Sequence, residues 1–298
     1  PDDSVDLVLT SPPYALHFKK EYGNVDQDQY VDWLLSFAPS IKRILKPTGS
    51  FVLDIGGSWT PGQPTRALCH FEVAIRLVRE QGFHLAQEFY WYNPAKLPAP
   101  AEWVNVRKIR VKDSVECVWW LSKEPFPKAN NQEVLQPYSP DMIRLLRRGY
   151  RAKVRPSGHN ITAKFADRGG SIPGNLLSMG NNDANSHYFT RCEQTGVKPH
   201  PARFPPQLPA FFIRFLTGPG DVVLDPFAGS CTTGEVAENL GRKWIAIDRE
   251  KDYLDGARFR FEKPWDEERR ASIVGGGGSG DSAEAAALFG QQIALPFK

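Results

Sequence analysis

Two stretches of the chain hold residues whose types and order could do chemistry. The first is Ser11-Pro12-Pro13-Tyr14, which follows Val5-Asp6-Leu7-Val8-Leu9-Thr10, a run that reads as a buried strand. Pro12 and Pro13 fix the backbone and carry no N–H, so nearby carbonyl oxygens can be held toward a cleft instead of being used in secondary structure. Such acceptors suit a planar amino group, and Tyr14 offers a flat face against which an extruded base could stack. Taken alone, the four residues are equally a turn that ends a strand. The second stretch runs from Asp221 to Glu250, DVVLDPFAGSCTTGEVAENLGRKWIAIDRE. A strand enters a turn with Gly229 and Gly234, a helix follows, and the next strand ends on Asp248, nineteen residues after Gly229. Glycine lets a backbone approach a ligand and a strand-end carboxylate accepts ribose hydroxyls, the geometry that binds an adenosine. A P-loop does not fit, because Glu235 stands where a lysine would have to meet phosphate. By itself this stretch is also compatible with an ordinary strand-helix turn.

A sheet has to bring the two stretches together. Strand-like and helix-like segments alternate along the first third: a helix from Tyr30 to Lys46 closed by Pro47 and Gly49, a strand from Ser50 to Ile55 ended by Gly56-Gly57, and a helix from Phe71 to Gln81. Strands follow near Leu85 to Tyr92 and Ser114 to Leu121. From Pro125 to about Pro199 the periodicity fades and Gly, Pro, Asn and Ser accumulate, the mark of an inserted lobe. Regularity resumes with a helix near Leu208 to Leu216, a strand Asp221 to Leu224, a helix from Thr233 to Leu240 and a strand Trp244 to Ile247. The alternation predicts an α/β fold with a doubly wound, mostly parallel sheet and an inserted lobe. The expected divisions are 1–124 and 198–262 for the two halves of the sheet domain, 125–197 for the lobe, and 263–298 for a flexible tail containing Gly275 to Gly280 (GGGGSG). In such a sheet ligands collect outside the carboxyl ends of the strands, where both stretches lie, so the two should share one crevice.

Composition narrows the class. The 298 residues are 41% hydrophobic and 24% charged, without an apolar run long enough to cross a bilayer, which reads as a globular protein without membrane association. Cys69, Cys117, Cys192 and Cys231 lie far apart without CxxC spacing, so no zinc cluster, other metal site or disulfide framework is expected, and a reducing cytoplasm is the natural setting. The net charge is only +3, but between Ala101 and Arg155 twelve Lys and Arg stand against six acids. Candidate phosphate contacts there are Arg107, Lys108 and Arg110, and the acid-free run RLLRRGYRAKVR with Arg144, Arg147, Arg148, Arg151 and Arg155. A solvated charged face is the plain alternative. Glu72 and Glu88 read as ordinary exposed residues.

TSPPY, DPFAGSCTTG and Lys198 to Pro205 (KPHPARFP) together resemble the DNA amino-methyltransferases. The order, with SPPY first, the glycine turn last and a recognition lobe between, is that of their beta group. The strings Lys19 to Asn24 (KKEYGN), Asn93 to Pro98 (NPAKLP), Arg107 to Asp113 (RKIRVKD) and Arg155 to His159 (RPSGH) resemble its cytosine-N4 members. The resemblance spans residues 5 to about 261 and implies a Rossmann-like methyltransferase sheet with a DNA-recognition lobe. It implies S-adenosyl-L-methionine as cofactor, double-stranded DNA as partner, and N4 of a flipped cytosine in a short site, CAGCTG, as target. It further implies a prokaryotic restriction-modification setting with a cognate endonuclease, and a monomer.

On this resemblance Ser11, Pro12, Pro13 and Tyr14 are catalytic. Phe204, Asp225, Phe227, Ala228, Gly229, Ser230, Thr232, Thr233 and Asp248 are expected to bind the cofactor. Methylation at carbon 5 would need a cysteine nucleophile after a proline, and none of the four cysteines follows one. Cys231 is expected to be a small neutral filler. Adenine-N6 methylation is the alternative within the family, which there prefers Asp or Asn where Ser11 stands; a DNA-binding module that lost the reaction is the alternative outside it. The family usually has a Gly-Asp segment before its SPPY strand that helps hold adenosine. This chain starts at Pro1 without one, which implies that a piece of the domain lies outside it, and Gly280-Asp281-Ser282 only faintly resembles that segment.

Overall fold

Strand β1, Val5–Thr10, is buried along its whole length, with Leu7 and Leu9 facing one apolar layer and Val5 and Val8 the other. Burial on both faces is what a near-continuous aliphatic run demands of a central parallel strand. The structure, a computed structural model, describes residues 1–16, 23–149, 167–181 and 186–275, together with the backbone of the short paired strands β5, Lys153–Val154, and β6, Asn160–Ile161. Arg151, Arg155 and Gly280-Asp281-Ser282 lie outside the described residues.

Around β1 the main sheet has seven strands in the order β7-β3-β4-β2-β1-β8-β9. They are β2 (Leu45–Ile55), β3 (His84–Tyr92), β4 (Val115–Ser122), β7 (Leu176–Ser178), β8 (Val222–Asp225) and β9 (Lys243–Ala246). All run one way except β4, which is antiparallel to both neighbours. Its reversal puts the start of β4 at the edge where the other strands end. Helices α1 (Tyr30–Leu35), α2 (Ala38–Ile44) and α3 (Cys69–Arg79) cover one face. The other is covered by α6 (Gln207–Leu216), α7 (Thr232–Asn239) and α9 (Glu267–Val274). No described helix is long and apolar enough to cross a membrane.

The expected elements differ from the structure where long-range contacts override local pattern. The helix expected over Tyr30 to Lys46 breaks at Ser36-Phe37, because Pro39 in the first turn of α2 has no N–H to continue the ladder. Its last residues join β2, where Leu45 pairs with Val5. Described parts of the expected lobe of 125–197 join the main fold. Its helix α4, Pro140–Arg148, has no buried residue, but β7 extends the main sheet beside β3 and helix α5, His187–Thr195, packs Tyr188 and Cys192 against Phe259.

Likewise, residues 263–275 do not belong to a flexible tail. Trp265 and Ile273 are buried, and the segment closes on Glu235 of α7. The Glu235 carboxylate accepts from Arg260 at 2.7 Å, the Trp265 indole at 3.0 Å and Arg269 at 2.8 Å. Burial pushes the Glu235 carboxyl up, but the two guanidiniums and the indole outweigh it and hold the group below the usual glutamate range. Glu235→Ala strands Arg260, itself 4% exposed, and should cost about 3–5 kcal/mol, read as a lower urea midpoint. A carboxyl depressed in the fold contributes fully above its unfolded pKa and loses that contribution as pH falls through the folded value. The wild type should therefore lose its advantage over Glu235→Ala as pH falls below about 4, and a gap that instead widened there would contradict the assignment.

Candidate active site

Strands β1 and β8 are parallel neighbours, with Leu7 opposite Val223 and Val8 opposite Leu224, so Thr10 and Asp225 end side by side. The Thr10 hydroxyl donates to Asp225 Oδ1 at 2.6 Å, the Phe227 N–H to the same oxygen at 3.1 Å, and the Thr233 hydroxyl to Oδ2 at 2.7 Å. Burial pushes the Asp225 carboxyl up to about 6 against these donors. Expected as a cofactor contact, Asp225 is 3% exposed and spends its oxygens joining two strand ends to the first turn of α7.

Beyond it the turn is built for close backbone approach. Gly229 lies at φ +50°, and its N–H donates to Asp248 Oδ2 at 2.7 Å, while Oδ1 accepts from the Glu250 N–H at 2.9 Å. Each Asp248 oxygen keeps a further lone pair. The spacing of nineteen residues thus brings the carboxylate onto the glycine turn directly. At Gly234 a Cβ would come within 2.5 Å of the Cys231 sulfur and 2.9 Å of the Trp244 ring, so only glycine lets α7 lie so close to β9. Cys231 is buried, and burial, helped by the Asp225 charge, pushes its thiol up to about 12; it fills space. Ser230 and Thr232 face inward, the Ser230 carbonyl and hydroxyl accepting from Arg260 at 2.7 and 3.0 Å. Ala228 is buried, and the Phe227 ring packs 5.6 Å from Trp33 and 5.2 Å from Phe37. Phe204 lies against the core layer that holds α6 and α7.

The other strand end carries a polar cluster that sequence reasoning missed. Tyr14 donates its hydroxyl proton to Glu116 Oε2 at 2.5 Å, and Ser11 donates to the Tyr14 oxygen at 3.3 Å. Glu116, at the start of the reversed strand β4, is held in turn by Lys96 at 2.7 Å. The Tyr14 ring lies on Gly56, where an added Cβ would come within 2.3 Å of it. Asp54, near the end of β2, stands 3.4 Å from the Tyr14 hydroxyl and is 3% exposed. One hydroxyl proton cannot serve two carboxylates, and the shorter contact with Glu116 takes it. Asp54 Oδ1 is buried without a hydrogen-bond partner. Burial, then repulsion from Glu116, hold the Asp54 carboxyl well above the ordinary range. The signal for Asp54 was a charged residue inside the apolar strand SFVLDI just before Gly56-Gly57; Glu116 and Lys96 carried none. Pro12 is buried, while Ser11 and Pro13 are half-buried.

Among the basic candidates, Arg110 is 14% exposed in its side chain and bonds both oxygens of Asp113, at 3.0 and 3.2 Å. Arg107 pairs with Glu102 and lies over the Trp103 ring. Lys108 is exposed, in the left-handed region at φ +57°. On α4, Arg144 pairs with Asp141, and Arg147 and Arg148 are exposed in the last turn.

The chain is 54% identical to the type II methyltransferase M.PvuII of Proteus hauseri over 265 residues, which is 88% of this chain and 79% of that protein. The solved structure of the PvuII DNA methyltransferase, named as cytosine-N4-specific, superposes with a TM-score of 0.71 at 46% identity, covering 94% of this chain and 88% of the other. M.BglII of Bacillus subtilis is 29% identical over 86% of this chain and 63% of its own length. The family described as DNA methylase matches residues 5–259, a span that opens at β1 and closes just past α8, Lys251–Ala257, and so takes in both strand-end turns. The chain belongs to the DNA methylase family of N6 and N4 methyltransferases.

Proposed function

We propose that this protein transfers a methyl group from S-adenosylmethionine to the exocyclic N4 of a cytosine extruded from duplex DNA. The observation that carries the reading is the hydrogen bond from Thr10 to Asp225, which holds Ser11-Pro12-Pro13-Tyr14 beside the glycine turn that follows β8. The identity with M.PvuII supports cytosine over adenine, as does Ser11 where adenine enzymes of this architecture prefer Asp or Asn.

The residues of the glycine turn suit an adenosine-bearing cofactor. Gly229 at positive φ lets the His200 ring pack against its backbone, and Asp248, bonded to the Gly229 N–H, has lone pairs left for ribose hydroxyls. Bound S-adenosylmethionine supplies an electrophilic methyl on a sulfonium. The task of the chain is to prepare the nitrogen. The lone pair of the cytosine amino group is delocalised into the ring, so the amine is a poor nucleophile until acceptors grip its hydrogens. The Ser11 hydroxyl, which gives its proton to Tyr14, keeps lone pairs for one hydrogen, and the Pro12 carbonyl can take the other. This localises and aims the lone pair, so orientation and electrostatic stabilisation do the catalysis. Positive charge that develops on N4 meets Asp54 and Glu116 just behind Ser11 and Tyr14. Burial and repulsion from Glu116 push Asp54 toward its protonated form, so it is not assigned as the base for the proton that N4 releases. No enzyme nucleophile is required.

The target is a short palindrome, CAGCTG, modified by a monomer in the cytoplasm of a restriction-modification host whose endonuclease cuts the same site. The type II designation of M.PvuII supports that setting.

Protein incubated with S-adenosylmethionine and CAGCTG duplex should yield N4-methylcytosine by mass spectrometry of the digested nucleosides. N6-methyladenine would move the target to the other amino base, and 5-methylcytosine would overturn the mechanism. Ser11→Ala should slow transfer while leaving cofactor affinity nearly intact. Tyr14→Ala should cut turnover by the worth of a lost stacking partner, about 1–3 kcal/mol.

Asp248→Ala should weaken cofactor binding by about 1–3 kcal/mol in calorimetry, and unchanged affinity would remove Asp248 from the site. Replacing Arg147 and Arg148 with alanine should lower affinity for specific and random duplex alike. The slope of log affinity against log salt should fall by about one per lost phosphate contact. Loss confined to the cognate duplex would make these arginines base readers.

A further inference from the structure

Between β3 and β4 the chain makes a long excursion, residues 93–114, that turns apolar side chains outward. Leu97 is 80% exposed, Val106 68%, Ile109 60% and Val111 85%. The excursion has its own frame. Trp103 is buried under the Arg107 guanidinium, 5.0 Å from the ring centroid. The N–H groups of Ile109 and Arg110 both return to the Trp103 carbonyl, at 2.9 and 3.2 Å. The returning leg is pinned at Asp113, which takes Arg110 and Arg66, and at Lys112, whose ammonium bonds the Pro94 and Lys96 carbonyls at 3.1 Å each. Lys96 in turn holds Glu116, the acceptor of the Tyr14 hydroxyl. A framed loop thus stands one side chain away from Tyr14 and holds large apolar groups in water, a cost that a partner removes.

We propose that Val106, Ile109 and Val111 form a wedge that enters the base stack of the duplex beside the target cytosine and fills the place the extruded base leaves. Charge selects the occupant. Of the five Lys and Arg in residues 94–113, Lys108 is exposed beside Ile109 and Arg107 is held only by an exposed pair with Glu102, which suits phosphates flanking an apolar tip better than the apolar face of a second protein. Opening a base step costs unstacking energy that apolar wedges elsewhere recover by insertion. The wedge rests on the reading of Ser11 to Tyr14 as the pocket for the extruded base.

The test compares wild type with the triple variant Val106→Ser, Ile109→Ser, Val111→Ser, all at exposed positions. The first readout is fluorescence of 2-aminopurine placed at the target position of the duplex, which rises when that base leaves the stack. The second is transfer to a matched duplex and to one whose target cytosine is mispaired. The variant should keep the wild-type melting temperature, cofactor affinity and affinity for random duplex. It should lose most of the fluorescence rise and at least about tenfold in transfer on the matched duplex, with the deficit shrinking on the mispaired one, where extrusion costs less. Wild-type fluorescence and transfer in the variant would overturn the wedge alone. Equal losses on matched, mispaired and random duplex would make the loop an ordinary groove contact and also overturn it. If wild type itself neither raised the fluorescence nor made N4-methylcytosine, the pocket reading would fall and the wedge with it.

Discussion

The placement of the site depends on one buried carboxylate. Asp225 collects donors from the end of β1, from the backbone after β8 and from the first turn of α7, and so fixes the ends of strands that the sheet already pairs. A buried carboxylate with too few donors would take up a proton or call in water. With three donors and a pKa of about 6, it stays mostly charged at neutral pH and holds each donor in a fixed direction. Two turns more than two hundred residues apart in sequence are thereby held side by side. Its three hydrogen bonds make the residue part of the frame that joins β1, β8 and α7.

The second constraint is the single reversed strand. In a wholly parallel sheet β4 would start at the far edge, and Glu116 would be nowhere near Tyr14. Reversal brings the start of β4 to the carboxyl ends of β1 and β2, where Glu116 takes the tyrosine proton and leaves Asp54 short of a donor. A strand direction thus sets an electrostatic condition: two carboxylates face one hydroxyl, and the one without a short partner is pushed toward its protonated form.

Both turns, Asp248 and most of the regular elements were legible in the sequence, because each is encoded locally by strand and helix periods, proline and glycine punctuation, and a fixed spacing. Asp54 was legible only as an anomaly, a charge inside SFVLDI. What could not be read depends on pairings far apart in the chain. The break in the first helix follows from Pro39, but the transfer of Leu45 into β2 follows from its partner Val5. Glu235 was read for what it could not do at a phosphate, whereas its role comes from Arg260, Trp265 and Arg269, in a segment whose pattern is too short to announce a helix. The basic count between Ala101 and Arg155 was correct as arithmetic and incomplete as chemistry, since charge alone does not say which guanidiniums are already engaged.

That last distinction separates the basic candidates from one another. Arg110 gives one guanidinium nitrogen to both oxygens of Asp113, so part of its charge is engaged within the loop. Arg107 sits in an exposed pair with Glu102, and such pairs hold their partners weakly. Arg147 and Arg148 have no ion pair among the described residues and project from a helix with no buried side chain. A helix of that kind is of little use to the core and is free to follow a backbone of phosphates. The loop between β3 and β4, by contrast, exposes apolar side chains and is tied through Lys96 and Glu116 to Tyr14. Exposed arginines on a helix without buried side chains and exposed apolar groups on a cross-braced loop are the arrangement expected if one element holds the duplex and the other acts on a single base step.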